Sequence, residues 1–191
     1  MNLFIQKDNT NQGGRKKGRL TIYEMTLFAM FAALMLALKF LMEVLPNIHP
    51  LGMFIMVLTI TYRKKALIPI YIFVFLNGLI AGFAVWWIPY LYIWAVLWGA
   101  TMLIPNNMPK KAKVIIYPVI NALFGLSFGI LYAPAQAILF NLSFNQAVAW
   151  VVAGFSFDAI HAAGNFAIGF LVLPVSELLK KLEKITIRGK S

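Results

Sequence analysis

Leu51–Ala84, LGMFIMVLTITYRKKALIPIYIFVFLNGLIAGFA, is the stretch on which the fold turns. Two apolar runs, Leu51–Tyr62 and Ala66–Ala84, flank the basic triplet Arg63-Lys64-Lys65. A hydrocarbon core about 30 Å thick takes roughly 20 helical residues. The second run has that length. The first has twelve residues, about 18 Å at about 1.5 Å per residue. Charge decides whether it crosses, because bilayers retain Lys and Arg of short loops on the cytoplasmic side. If Leu51–Tyr62 crosses, the triplet shares a face with Lys7 to Arg19, Lys110-Lys111-Lys113 and Lys180 to Lys190, and only Lys39 is left out. If it does not, the triplet is stranded outside.

Working outward, Ile22–Met42, Tyr90–Ile104, Val114–Ala133 and Ala147–Val175 supply four more apolar segments. The expected fold is an all-α integral membrane protein with six transmembrane helices and both termini cytoplasmic. A polar tail over 1–20 precedes the membrane domain (21–184), and 185–191 form a second cytoplasmic tail. The first 20 residues lack the apolar core of a signal peptide, which predicts that the tail is not cleaved.

Composition agrees. Apolar residues make up 61% of the 191 and charged residues 12%, against about 45–50% and about 25% in soluble domains. The net charge is +11, but it is confined to the gaps between apolar runs, which points to a lipid bilayer and not to nucleic acid. There is no cysteine, hence no disulfide or thiolate metal site. No phosphate-binding Gly-Lys-Ser/Thr loop occurs, so the chain has no ATPase of that kind.

Polar groups inside lipid are costly and usually mark a site. The last segment carries Phe157-Asp158-Ala159-Ile160-His161-Ala162-Ala163-Gly164-Asn165, which puts Asp158, His161 and Asn165 at i, i+3 and i+7 on one helix face. Counted from Ala147, they fall in the outer half to the middle of the bilayer, the depth of a pocket entered from outside. The competing reading is an Asp–His pair that merely ties two helices together. One Asp and one His are too few for a metal. Asn121 shares a face with Gly125 and Gly129, and Asn77 precedes Gly78 and Gly82. Such small residues allow close helix approach. Trp86, Trp87, Tyr90 and Tyr92 bracket Pro89, either as an interfacial belt or as pocket walls. Glu43, Asn47 and His49 lie on the outer connection around Pro46 and Pro50, where Lys39 and Glu43 are spaced to pair. Gln136, Asn141 and Asn145 are expected in a second outer connection, as a lid. In the first segment Ala29, Ala33 and Ala37 form a smooth stripe widened by Ala32, which either packs within the chain or receives a partner subunit.

Six helices in this length, a short second helix and Ala29-x-x-x-Ala33-x-x-x-Ala37 resemble the substrate-binding S components of energy-coupling factor (ECF) vitamin transporters. Phe157-Asp158-x-x-His161-x-x-Gly164-Asn165, followed by Pro174 and Leu178-Leu179-Lys180-Lys181-Leu182, is similar to the last helix of many members. The resemblance covers about residues 20–184. Family patterns often place Asn beside the helix-one alanines, where this chain has Met30.

The resemblance implies a non-enzymatic subunit of a bacterial plasma membrane importer, without metal or cofactor. It would bind a vitamin-like solute near the outer surface through Asp158, His161, Asn165, Trp86, Trp87, Tyr90, Asn121 and His49. It would dock through Ala29, Ala33 and Ala37 on a transmembrane scaffold that carries two ATPases, toppling to deliver its cargo. A flat heterocycle of the vitamin B6 or hydroxymethylpyrimidine class suits the aromatic and polar set slightly better than riboflavin, thiamine, biotin, folate, cobalamin or a queuosine precursor. A membrane enzyme with Asp158 and His161 as acid and base, and a structural assembly subunit, are the alternatives.

Overall fold

The computed structural model describes residues 20–45, 48–105 and 107–188, with side chains as far as Ile185. Among these residues the chain is entirely helical, without strands. Five stretches are long and apolar enough to cross a membrane: Ile22–Leu41, Leu51–Ala81, Val85–Met102, Lys110–Phe140 and Phe144–Gly169. Their outward faces are apolar too; Ile22, Ile138 and Phe144 are each about four-fifths exposed. A continuous surface of this kind is untenable in water and natural against lipid. The protein is a multi-pass membrane protein.

Helix α1 (Ile22–Leu41) starts with a capping box. Thr21 Oγ1 accepts from Glu24 N at 3.1 Å, and Thr21 N donates to Glu24 Oε2 at 2.9 Å, so two otherwise unpaired donors are satisfied reciprocally. Glu24 also holds Lys65 at 2.6 Å. An acid at the edge of an apolar helix is thus paired.

Helix α2 (Leu51–Tyr62) is apolar on every side, the mark of an interior helix. Every residue from Leu51 to Thr59 is buried, and the one hydroxyl among them, Thr59, returns its proton to Ile55 O at 2.6 Å. Around it stand α4 (Tyr90–Met102), α7 (Phe144–Gly169) and α8 (Val172–Arg188). The chain reverses at Arg63, whose φ is +53°, a sparsely populated conformation that costs a non-glycine residue roughly 1–3 kcal/mol. Two contacts hold it there. Trp98 Nε1 donates to Arg63 O, and Arg63 Nη2 donates to Met102 O, both at 3.1 Å. After a 3-10 turn over Arg63–Ala66, α3 (Leu67–Ala81) runs back along α1 and ends at Gly82, whose φ of +87° favours glycine.

Helices α5 (Lys110–Leu126) and α6 (Phe128–Phe140) form one rod, interrupted at Ser127. Lys110 Nζ lies 2.7 Å from Glu177 Oε1 on α8. Arg63, Lys65, Lys110, Glu24 and Glu177 therefore share one end of the bundle. Tyr132 and Trp86, joined at 2.8 Å, share the other.

Several expectations need correction. The rod continues to Phe140, so Gln136 lies in α6 and Asn145 in the first turn of α7. Only Asn141–Ser143 connect the two helices, Asn141 as a left-handed cap. Three residues do not make a lid. Ala32 does not widen the alanine stripe; it is fully buried, while Ala29, Ala33 and Ala37 are exposed, so that stripe does not pack within the chain. Lys39 and Glu43 do not pair, because α1 ends at Leu41 and the Lys39 ammonium lies 4.9 Å over the Phe40 ring. The tail before Leu20, and Asn47, lie outside the described residues.

Candidate functional site

The site begins with the contact between α5 and α7, which glycines make intimate. A Cβ on Gly125 would lie 2.9 Å from Ala162 N and His161 C, and one on Gly169 would lie 2.6 Å from Pro118 Cα. At this separation Asn121 Nδ2 donates to Asn165 O at 2.8 Å, and Asn165 Nδ2 donates to Asn121 O at 3.1 Å. The two expected site residues thus clasp each other's helix.

Asp158 lies on the same buried face. Gly129 N donates to both its oxygens, at 3.1 and 3.0 Å. Gly129 is in the first turn of α6, and the adjoining Ser127 supplies no side-chain cap. A carboxylate from another helix therefore caps α6, where negative charge is favourable. Asp158 thus takes an N–H at the interruption of the rod at Ser127. We expect Asp158→Ala to lower stability by about 1.5–3 kcal/mol, the usual worth of a hydrogen bond to a charged group. Asp158→Asn, which keeps an acceptor oxygen, should lose less. Melting temperatures of the two variants in one detergent check this; equal melting of Asp158→Ala and wild type contradicts it.

His161, one turn along, behaves differently. It is buried, and its Nε2 has no hydrogen-bond partner in the protein. The same holds for His49 Nδ1, Trp94 Nε1 and Asn121 Oδ1. These atoms come from α7, the connection before α2, α4 and α5, and they converge. The His49 ring lies 5.1 Å from that of His161 and 6.4 Å from that of Trp94. Asn121 Oδ1 presses on Gly52, where any Cβ would collide with it. Phe128 packs 5.0 Å from His161 and 6.0 Å from Trp94, and Phe124 lies 5.8 Å from Trp94.

From this cluster two lines of rings lead to the far end of the bundle. One runs through Tyr90, 5.4 Å from Trp94, to Trp86 at 5.6 Å. The other runs from Phe128 to Tyr132 at 6.1 Å and on to Trp150, stacked at 5.9 Å. The Tyr132 hydroxyl closes the circuit on Trp86 O.

Buried polar atoms are nearly always paired in native proteins, and each unpaired one costs about 1–3 kcal/mol. Three such atoms, on His49, His161 and Trp94, lie among aromatic side chains, and a fourth, Asn121 Oδ1, faces Gly52 beside them. Each neutral imidazole offers a donor and an acceptor, the indole a donor and the amide oxygen an acceptor. Asn77, fully buried on α3 with neither amide atom partnered, lies one turn beyond Phe73, which packs on Trp94. Thr61 and Tyr62, also unpartnered, sit at the other end of α2. No group of three or more His, Asp or Glu gathers to hold a metal among the described residues.

Of the residues expected at the site, His49, Asn121, Asp158, His161 and Asn165 come together, and Tyr90 and Trp86 reach them through Trp94. Trp87 does not. Its indole N–H donates to Val74 O at 2.8 Å and its ring packs on Phe83, locking the corner between α3 and α4. Trp94, Phe124, Phe128 and Tyr132 were missed, although Tyr90 and Trp94, like the other three, recur at four-residue intervals on one face. No family model matches this chain, and neither does any curated protein or solved structure.

Proposed function

We propose that this chain is the solute-binding S component of an energy-coupling factor importer in a bacterial plasma membrane, crossing six times with both termini cytoplasmic. The observation that carries the reading is the meeting of unpartnered His49, His161, Trp94 and Asn121 atoms inside aromatic walls. Reversal at Arg63 supports the six crossings, since it divides Leu51–Ala81 into two arms, and the basic residues at that end of the bundle make it the cytoplasmic one. The exposed stripe of Ala29, Ala33 and Ala37 is the face offered to the scaffold subunit, which carries two ATPases.

The cargo is a flat, polar-edged heterocycle of the vitamin B6 or hydroxymethylpyrimidine class. It enters past Trp86 and Tyr132, parts the rings around Trp94 and engages the imidazoles. An acid–base enzyme is less well supported: no hydrogen bond joins Asp158 to His161, and Gly129 N–H occupies both Asp158 oxygens.

Purified protein should carry a solute that denaturation releases and mass spectrometry identifies, and pyridoxine or hydroxymethylpyrimidine should quench its tryptophan emission. His161→Ala leaves a polar group of the cargo unpaired, at about 1–3 kcal/mol or roughly 5- to 150-fold in Kd, with the melting temperature of the empty protein little changed. Unaltered affinity in His161→Ala, or the absence of any stabilising solute, rejects the site.

A further inference from the structure

At the opposite end of the bundle a cavity of about 230 Å³ is lined by Arg63, Lys113 and Lys180 together with Ile60, Thr101 and Tyr117. We infer that this cavity binds an anionic phosphate group, from an acidic phospholipid headgroup or from a soluble phosphate. The inference does not rest on the solute site or on the importer reading.

Three observations carry it. First, the cations come from three separate elements, namely the turn after α2, the first turn of α5 and the second half of α8. Basic residues that only orient a membrane protein project from loop ends into water; these converge on one space. Second, Arg63 is held in place at an energetic cost. Its φ is +53°, and Trp98 and Met102 fix its carbonyl and its guanidinium. Backbone strain concentrates where a side chain must be pre-positioned, and a guanidinium is the group best shaped to grip phosphate. Third, the cations act on one another across this space. Glu177 is paired with Lys110, and Glu183 also acts on Lys180. Even so, partial desolvation of this largely exposed side chain, and then repulsion from Lys113 and Arg63, pull the pKa of Lys180 down.

The chemistry of the ligand follows. A phosphate presents several acceptor oxygens around its charge, enough for donors that approach from three separate elements, whereas a carboxylate presents only two. At about 30 Å³ per water the cavity has space for roughly seven, enough for a phosphate and its remaining hydration. Basic pockets between membrane helices on the cytoplasmic side are the usual setting for acidic headgroups.

The test uses the full chain, purified in a non-ionic detergent and freed of lipid, with calorimetric titration at physiological ionic strength. The probes are inorganic phosphate, dihexanoyl phosphatidylglycerol and, as control, dihexanoyl phosphatidylcholine. We expect saturable binding of at least one anionic probe, weakened about 10-fold or more in Lys113→Gln/Lys180→Gln and kept in Lys180→Arg. Binding of phosphatidylglycerol alone assigns a lipid headgroup, and binding of inorganic phosphate with no gain from the lipid assigns a soluble phosphate. Equal binding of phosphatidylcholine, equal binding by the double variant, or no binding of either anionic probe by the wild type overturns the proposal. Should the double variant melt far below wild type, Lys180→Gln alone, which alters an exposed residue, carries the same expectation and the same refutation.

Discussion

Gly125→Leu will not accumulate as folded protein, and Gly125→Ala will melt well below wild type. A first side-chain carbon at this position meets Ala162 N, His161 C and Asn165 Nδ2, all at 2.9 Å. Two of these are backbone atoms of α7 and cannot rotate away. Relief requires α7 to move off α5, which pulls apart the reciprocal Asn121–Asn165 hydrogen bonds and the cap that Asp158 places on Gly129. Overpacking costs about 1–3 kcal/mol, occasionally more, and each broken buried hydrogen bond adds about 1–3 kcal/mol. Against this stands only the roughly 1 kcal/mol by which alanine improves on glycine in a helix. Gly154, on the same α7, supplies the control, because a Cβ there meets nothing within 4 Å. Gly154→Ala should therefore melt at or above the wild-type temperature. Thermal melts of the three proteins in one detergent decide the matter; Gly125→Ala melting with Gly154→Ala would show that the helices do not approach as closely as described.

In the importer proposed above, Ala33→Trp abolishes uptake while leaving solute binding intact. Ala33, Ala29 and Ala37 are exposed along α1, whereas Phe28, Ala32, Met35 and Leu36 are buried in the core. An indole on that side disturbs nothing within the chain, so stability should stay within about 0.5 kcal/mol of wild type. A partner helix is another matter. Close approach of membrane helices depends on small residues, and a side chain of this size holds the scaffold off. The experiment compares accumulation of labelled solute in cells containing scaffold and ATPases with the affinity of the same purified variant. Normal uptake by well-expressed Ala33→Trp would reject the docking face. Loss of binding as well would place the stripe next to the solute site instead.

The sequence alone determined the elements that depend on local chemistry and length. Leu51–Tyr62 was bounded to the residue, because an apolar run ends where three cations begin and no packing detail can shift that point. The start of the first segment at Ile22 was also legible, where the polar tail gives way to an apolar run, and the clustering of basic residues followed from the cost of burying charge. A period of 3.6 placed Asp158, His161 and Asn165 on one face, and that face is buried.

Tertiary structure decided what each of those residues does. Periodicity assigns a side chain to a face but not to a neighbour, so it could not distinguish Asp158, which accepts from Gly129 N at the interruption of the rod, from His161, whose Nε2 meets no partner. It grouped Ala32 with Ala29 and Ala33, although a turn of about 100° per residue carries Ala32 into the core. It treated Trp86 and Trp87 alike, where adjacent positions point one indole toward Tyr90 and the other toward Val74. His49 looked like a loop residue because nothing local reveals that the connection after α1 folds inward onto α7, where Ile48 packs against Gly164. The basic cavity is the clearest case. Arg63, Lys113 and Lys180 are remote in sequence, and only the reversal at Arg63 and the return of α8 beneath α2 bring their charges to one place.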